Sequence, residues 1–185
     1  MKELSDMSME ELWQLFPIVL SEHNPHWKDW ASEEIDMLRG ILHPVCAAYH
    51  HIGSTAIEGI MAKPIVDLLV VVSDRIEFPD VKRKLTEAGY ICMSEADTHI
   101  SFNKGYTPLG YAERVFHIHL RSDGDTDEIF FRDYLIKHAD VAKRYEMLKL
   151  SLSATYRHDR DAYTQSKTNF VRHYTELAKA ELLYN

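Results

Sequence analysis

One aspartate of this sequence stands inside an apolar segment, a setting that indicates a chemical role for its carboxylate. Asp67 lies within Pro64–Val72, a β-branched and almost wholly apolar run that predicts a central strand buried on both faces. A carboxylate in that setting is costly to desolvate unless a cation or hydrogen-bond donors meet it. The segment therefore predicts either a catalytic, metal-binding carboxylate at Asp67 or a structural ion pair between Asp67 and Lys63.

A Gly-Ser pair stands thirteen residues before that aspartate. Gly53 and Ser54 end a predicted strand over Val45–Ile52. Glycine permits a tight turn and a close backbone approach, and serine offers a hydroxyl and an N–H to phosphate oxygens. Most Gly-Ser pairs are only turns. A Gly-Ser pair before an Asp-bearing strand, however, is the layout of nucleotidyltransferases of the DNA polymerase β type, whose paired carboxylates hold divalent metals.

The sequence fits only part of that layout. Asp67 matches the first carboxylate, but Leu69 stands where the second would be, and a later predicted strand carries His117 and His119 instead. Residues two apart on a strand point to one face, so both imidazoles can share a site with Asp67. Imidazole with carboxylate suits zinc or another transition metal better than magnesium. The alternative is an exposed or cross-strand-paired histidine couple.

Three basic residues are candidate phosphate ligands beside Gly53 and Ser54. Lys63 either binds a phosphate or neutralises Asp67, and Lys104 either reaches a phosphate or is solvated. Arg132 either forms a local ion pair with its neighbour, worth little if exposed, or presents its planar guanidinium to a phosphate.

Several of these segments together resemble the GrpB-like family. The matching segments, in order, are His51–Ile57, Ala62–Asp67, Phe102–Gly105, His117–Leu120, Phe131–Leu135 and Asp159–Tyr163 with Lys167. The resemblance covers about residues 17 to 170. It implies a minimal nucleotidyltransferase fold, and family relatives fused to dephospho-CoA kinase imply nucleotide or coenzyme chemistry. Glu58 departs from the family pattern, which usually has proline there.

The elements that must position these residues form an α+β pattern. The predicted helices are one starting at Ser8, one from Asn24-Pro25 to Leu42 and one over Val81–Ala88 capped by Asp80. Three more follow: one over about Ile129–Lys137, one from near Asp140 and one from near Asp159. Besides the strands around Asp67, the predicted strands are Ile18–Leu20, Tyr90–Met93, His99–Asn103 and Arg114–Arg121. We therefore predict one domain over residues 1–185, with a nucleotidyltransferase-like mixed sheet, helices packed against it and a helical C-terminal tail.

Composition and charge bear on where the protein is located and on which ligands it binds. The chain has 185 residues and no apolar run near the ~20 residues that a membrane helix needs. Its start lacks a secretory apolar region, and Cys46 and Cys92 are expected to be reduced, buried thiols, so a cytoplasmic protein is expected. A formal net charge of −8 argues against non-specific nucleic-acid binding, which depends on Lys and Arg.

The sequence thus predicts a protein that binds a nucleotide or another phosphate-containing small molecule with a divalent metal, which would be magnesium, manganese or zinc. Transfer of a nucleotidyl group is the activity that this site would support. The alternatives are a catalytically inactive ligand-sensing or interaction module and a metal-dependent hydrolase.

Overall fold

A five-stranded mixed sheet organises the part of the chain described by the computed structural model, residues 2–45 and 47–183. Its strands are β1 (Ala47–Ile52), β2 (Val66–Val72), β3 (Ile91–Ala96), β4 (His99–Thr107) and β5 (Gly110–Ser122), and the helices are α1 (Met9–Leu15), α2 (His26–Leu42), α3 (Phe78–Glu87), α4 (Asp127–Lys137), α5 (Ala139–Thr155) and α6 (Arg160–Leu183). The strand order is β1-β2-β5-β4-β3. Strands β2 and β5 run parallel, and the other neighbours are antiparallel. The predicted α+β class and mixed sheet are confirmed.

One face of the sheet is covered by α2 and α3. Alternate residues of β2, such as Leu68 and Val70, point to this face and pack in one core with Trp27 and Leu38 of α2 and Leu85 of α3. Because β2 is buried on both faces, nearly all its residues are apolar. The long apolar run that predicted a central strand reflects this position next to β5.

The opposite face carries Asp67 and is covered only in part. Leu69 and Val71 of β2 pack with Ile52 and with Ile129 of α4. Helices α4, α5 and α6 have a core of their own, which includes Phe131 and Tyr145. The helices leave a cleft over the sheet, which borders Asp67 on one side and α6 on the other.

Most predicted elements form, with two local exceptions. The capping box of Ser8 and Glu11 is present. Residues 18–20 form no strand, and the only pairing nearby in the described residues is an isolated bridge from Ser21 to Ala62. Helix α3 begins at Phe78, so the predicted cap Asp80 lies inside its first turn, where it pairs with basic side chains one turn further on.

The position of Lys104 contradicts its prediction as a phosphate ligand. Its neighbour Asn103 faces the cleft, but Lys104 points to the face that α2 covers, because successive residues of a strand alternate. There its ammonium pairs with Glu34 at 2.8 Å and lies near the Tyr90 ring. Tyr90 also donates a short hydrogen bond to Glu34, whose side chain is only 4% exposed. Lys104 is therefore a partner for a buried carboxylate and lies outside the cleft.

Two other expectations concern location and thiols. No helix among the described residues is long and apolar enough to cross a membrane. Cys92 is a free thiol, while Cys46 lies outside the described residues. The cytoplasmic location and the single domain over the whole chain stay predictions.

We expect Lys104→Met to reduce the free energy of unfolding by on the order of 3 kcal/mol, because it leaves Glu34 buried without its cation. The matched control is Lys82→Met, which removes an exposed ion pair with Glu95 and should change stability little. Chemical denaturation of both variants measures the difference. Equal stability of the two variants would contradict the assignment of Lys104 to Glu34.

Candidate functional site

The structure brings Asp67, His117 and His119 together on neighbouring parallel strands. Asp67 lies opposite His117 in the register of β2 and β5. The Oδ1 atom of Asp67 is 3.2 Å from Nδ1 of His117 and 3.4 Å from Nε2 of His119. The predicted shared placement of these three side chains is confirmed, and their role as metal ligands stays a prediction.

Electrostatics hold the Asp67 carboxyl in its ionised form. Burial alone would raise the pKa of Asp67, but hydrogen bonds and charge from His117 and His119 outweigh burial and lower that pKa well below its usual range. Burial lowers the pKa of His117, against the attraction of Asp67. The other ring nitrogen of His117, Nε2, lies 2.8 Å from the Tyr106 hydroxyl. Tyr106 therefore fixes the ring of His117 from behind.

The three side chains fit a divalent transition metal. One possible ligand atom from each lies within 4.8 Å of the others, and all three residues are partly buried. One carboxylate oxygen and two imidazole nitrogens form a donor set typical of zinc and also suited to manganese. Magnesium prefers oxygen ligands, so the chemistry of this set favours a transition metal over magnesium.

Leu69 explains why a second carboxylate is missing from β2. Its side chain shares a face with Asp67 but is fully buried beneath Ile129 of α4. A carboxylate at this fully buried position would be costly to desolvate. His119, opposite Leu69 on β5, brings an imidazole to this face from the neighbouring strand.

The Gly-Ser turn approaches Asp67 so closely that only glycine fits. Gly53 has φ +70° and ψ −171°, a conformation open almost only to glycine, and a Cβ atom there would collide with the Asp67 carboxylate. Ser54 begins a short 3₁₀ turn, Ser54–Ala56, and lines the cleft. Thr55 anchors the turn, with Oγ1 2.9 Å from Nε2 of His51 on β1.

Helix α5 holds the connection between this turn and β2. The Glu146 carboxylate accepts a hydrogen bond from the backbone N–H of Met61 at 2.5 Å, and the Lys149 ammonium donates to the carbonyl of the same residue. Both side chains are buried. These two hydrogen bonds to Met61 fix the backbone close to Lys63, which lines the cleft.

Four basic side chains line the cleft beside Asp67: Lys63, Lys149, Arg160 and Lys167. Burial and the repulsion of Lys167 and Arg160 lower the pKa of Lys63 to about 7, and burial with the repulsion of Lys167 lowers that of Lys149 to about 7. Burial also lowers the pKa of Lys167 to about 8, against the attraction of Asp67. Like charges this close repel one another, so an anion placed among them would relieve the repulsion.

The structure places Lys63 near Asp67, whose attraction acts to raise the Lys63 pKa against burial and the other cations. Within the described residues, no ion pair joins Lys63 to Asp67, whose close partners are the two histidines. The Lys63 ammonium instead lies 5.5 Å from the centre of the Tyr163 ring, and the Lys167 ammonium lies 4.3 Å from the same centre. Lys63 is therefore available to a ligand in the cleft.

Two adjoining cavities make up the cleft. The cationic cavity, of about 570 Å³, is lined by the four basic side chains together with Asn103 and His117. The apolar cavity, of about 680 Å³, has Ile52, Phe131 and Val171 in its wall and is also lined by charged side chains, including Glu128, Arg172 and Glu176. Gly53, Ser54, Asp67, His119 and Lys167 border both cavities. Each volume is in the range of small-molecule sites.

The predicted phosphate ligand Arg132 lies elsewhere. Its guanidinium donates to the backbone carbonyl of His51 at 2.8 Å and pairs with Asp133, so it ties α4 to β1. It borders a separate pocket with Lys28 and Glu58. The local ion pair that the sequence offered as the alternative is what the structure shows.

The sequence predicted no role for three of the basic residues in the cleft. Lys149 follows Val141 and Tyr145 at intervals of four on the buried face of α5, and a lysine on an apolar helix face was the available signal. Arg160 and Lys167 lie in the family-like segment after residue 159, but only the packing of α6 against the sheet shows that they reach the cleft.

These features define an α+β protein with a metal-fitting, cation-lined cleft, and comparison with known proteins gives its family. The family model described as "GrpB protein" matches residues 17–177, and the chain belongs to this family. It is similar to "Glutamate-rich protein GrpB" of Alkalihalophilus pseudofirmus, with 35% identity over 163 residues, 83% of this chain and 91% of the relative. It is also 29% identical to "UPF0157 protein YqkA" of Bacillus subtilis over 94% of this chain, but spans only 50% of that relative.

A solved structure of a GrpB protein agrees with the fold. The crystal structure of "conserved protein GrpB from Enterococcus faecalis" matches with a TM-score of 0.76 and 27% identity, over 89% of this chain and 99% of that chain. The Cid1 poly(U) polymerase with MgGTP bound matches with a TM-score of 0.48 and 14% identity, over 77% of this chain and 44% of that chain. The second likeness is too weak to bear on function. The first confirms the predicted resemblance to the GrpB family.

We expect Gly53→Ala to reduce the free energy of unfolding by about 3 kcal/mol, because it adds a collision with Asp67 to the cost of a left-handed backbone. Gly59→Ala is the matched control, since Gly59 has φ +78° and open space where a Cβ atom would lie. It should lose only about 1–2 kcal/mol. Denaturation midpoints compare the two, and equal losses would contradict the close packing of Gly53 on Asp67.

Proposed function

We propose that this protein binds a nucleotide or another phosphate-bearing small molecule together with a divalent metal, and that nucleotidyl transfer is the reaction that the site serves. One observation carries the proposal: a metal-fitting triad and four basic side chains face the same cleft, next to a Gly-Ser turn. A metal site alone would not need the cations. A phosphate site alone would not need the triad.

The order of the Gly-Ser turn and the site-bearing strands supports a nucleotidyltransferase. The Gly-Ser turn follows β1, the Asp-bearing strand β2 comes next in the chain, and the strand with the additional metal-fitting side chains lies beside β2. This is the arrangement that the sequence predicted from enzymes of the DNA polymerase β type. The acidic net charge of −8 favours a small ligand over a nucleic-acid strand.

Each group has a distinct task in this proposal. Asp67, His117 and His119 would hold the metal, which would orient a phosphate and neutralise charge on its oxygens. Gly53 lets the backbone approach the ligand, and Ser54 offers its hydroxyl. Lys63, Lys149, Arg160 and Lys167 would pair with the remaining phosphate oxygens.

Leu69 favours a second candidate, a ligand-binding module without transfer. Two-metal transfer uses carboxylates that bridge both ions, and the buried Leu69 leaves β2 with Asp67 alone. An assay for pyrophosphate release from nucleoside triphosphates separates the candidates. Release that depends on Asp67 supports transfer or hydrolysis, whereas tight binding without release supports the module.

We expect Asp67→Asn to abolish binding of Mn²⁺ or Zn²⁺, because it removes the charged oxygen ligand. The metal-free variant should also lose stability at neutral pH, because His117 and His119 stabilise the ionised Asp67 by more than burial destabilises it. Asp161→Asn is the control, because Asp161 lines the same cavity outside the triad. Calorimetric titration with each metal and denaturation of each variant are the measurements. Undiminished metal binding by the Asp67→Asn variant would show that the triad is not the metal site.

We expect the double change Ser54→Ala, Lys63→Ala to weaken ATP binding by roughly 100-fold or more, because each charge-assisted bond to phosphate contributes about 1.5–3 kcal/mol. Lys137→Ala is the control, since Lys137 pairs with Glu181 on the surface of α4. The measurement is the shift in melting temperature at saturating ATP and Mn²⁺, followed by calorimetric titration. An unchanged shift would rule out this phosphate site.

A further inference from the structure

Helix α6 lines both cavities, and the types of side chain that it presents to them change along its length. Its first turns carry Arg160, Tyr163 and Lys167 into the cationic cavity. Later turns present Thr168, Val171 and Thr175 to the apolar cavity. At about 1.5 Å per residue, Arg160 to Val171 covers about 16 Å of helix. One helix therefore presents only basic charges among these side chains at its first turns, and threonines and Val171 together with the mixed charges of Arg172, Glu176 and Lys179 further on.

The cationic cavity suits the anionic part of a ligand. Besides the cations of α6, Lys63 and Lys149 enter this cavity from the loop before β2 and from α5. The N-terminal end of α6 adds the partial positive charge of the helix dipole to the same region. Negative charge is therefore stabilised most strongly at this end of the cleft.

The apolar cavity has side chains that suit an organic group with a flat apolar surface. Ile52, Phe131 and Val171 line this cavity together with Thr164, Thr168 and Thr175 of α6. Charged side chains also line this cavity: Lys179 is paired with Asp127 and Glu128 with Arg121, while Arg172 and Glu176 have opposite charges. An apolar wall with a few hydroxyl groups is typical of sites that hold the organic part of a ligand.

Asp67 and Lys167 stand where the two cavities meet. We propose that the ligand is a nucleoside triphosphate that lies along α6, with its phosphates in the cationic cavity and its nucleoside in the apolar cavity. This inference rests on the proposed function, and it adds that the protein recognises the nucleoside as well as the phosphates. The junction at Asp67 then lies beside the phosphates nearest the nucleoside.

The test compares ligands with and without a nucleoside. Calorimetric titration with Mn²⁺ present uses each of the four ribonucleoside triphosphates and inorganic tripolyphosphate as probes. We expect at least one nucleoside triphosphate to bind at least ten-fold more tightly than tripolyphosphate. This comparison uses the native protein and does not depend on the folding of any variant.

A substitution at Thr168 then tests whether the nucleoside lies in the apolar cavity. Thr168→Trp should fill the apolar cavity, because Thr168 is exposed and lines it. We expect at least a ten-fold loss of affinity for the preferred nucleoside triphosphate and no change for tripolyphosphate. Ser166→Trp is the matched control, since Ser166 is exposed on the same helix but borders neither cavity. It should bind both probes as the native protein does.

The outcomes separate this inference from the proposed function. If tripolyphosphate binds as tightly as every nucleoside triphosphate, or if Thr168→Trp leaves nucleotide affinity unchanged, the nucleoside site is overturned while the phosphate site stands. If Thr168→Trp weakens both probes equally, the nucleoside site is likewise overturned. If the native protein binds none of the probes, the proposed function fails together with this inference.

Discussion

The Asp67 carboxylate imposes the constraint on which the rest of the site depends. It lies on an interior strand, where a charge must be met by donors or by a cation. His117 and His119 meet it at 3.2 and 3.4 Å from the neighbouring strand. Gly53 must lack a side chain because the turn packs on the same carboxylate. The parallel pairing of β2 with β5 and the backbone of the Gly-Ser turn are thus both fitted to this group.

The basic side chains of the cleft impose a second constraint, since they repel one another. Buried ammonium groups such as that of Lys149 are unfavourable unless the surrounding structure holds them in place. The carbonyl of Met61 accepts from Lys149, and the Tyr163 ring lies close to the Lys63 and Lys167 ammonium groups. These contacts keep several cations together beside the Asp67 carboxylate. An anion that entered the cleft would reduce the repulsion among these basic side chains.

The sequence by itself determined the fold class and the centre of the site. The apolar run around Asp67 predicted a buried interior strand, because only such a strand is apolar on both faces. The spacing of His117 and His119 predicted that they share a face, because side chains alternate along a strand. The position of Gly53 and Ser54 at the end of β1 also followed from local pattern. Patterns of period two and of helical period carry this information within a few residues.

Only the tertiary structure decided which distant groups join Asp67. Lys104 and Arg132 were expected at the site, but strand alternation turns Lys104 toward the buried Glu34, and Arg132 bonds to the backbone of β1. Lys149 and Arg160 reach the cleft because α5 and α6 pack over the Asp67 face. Whether a basic side chain binds a ligand, pairs with a buried acid or ties two elements together depends on which elements lie opposite it. That is fixed by packing between segments far apart in the chain, which no local spacing records.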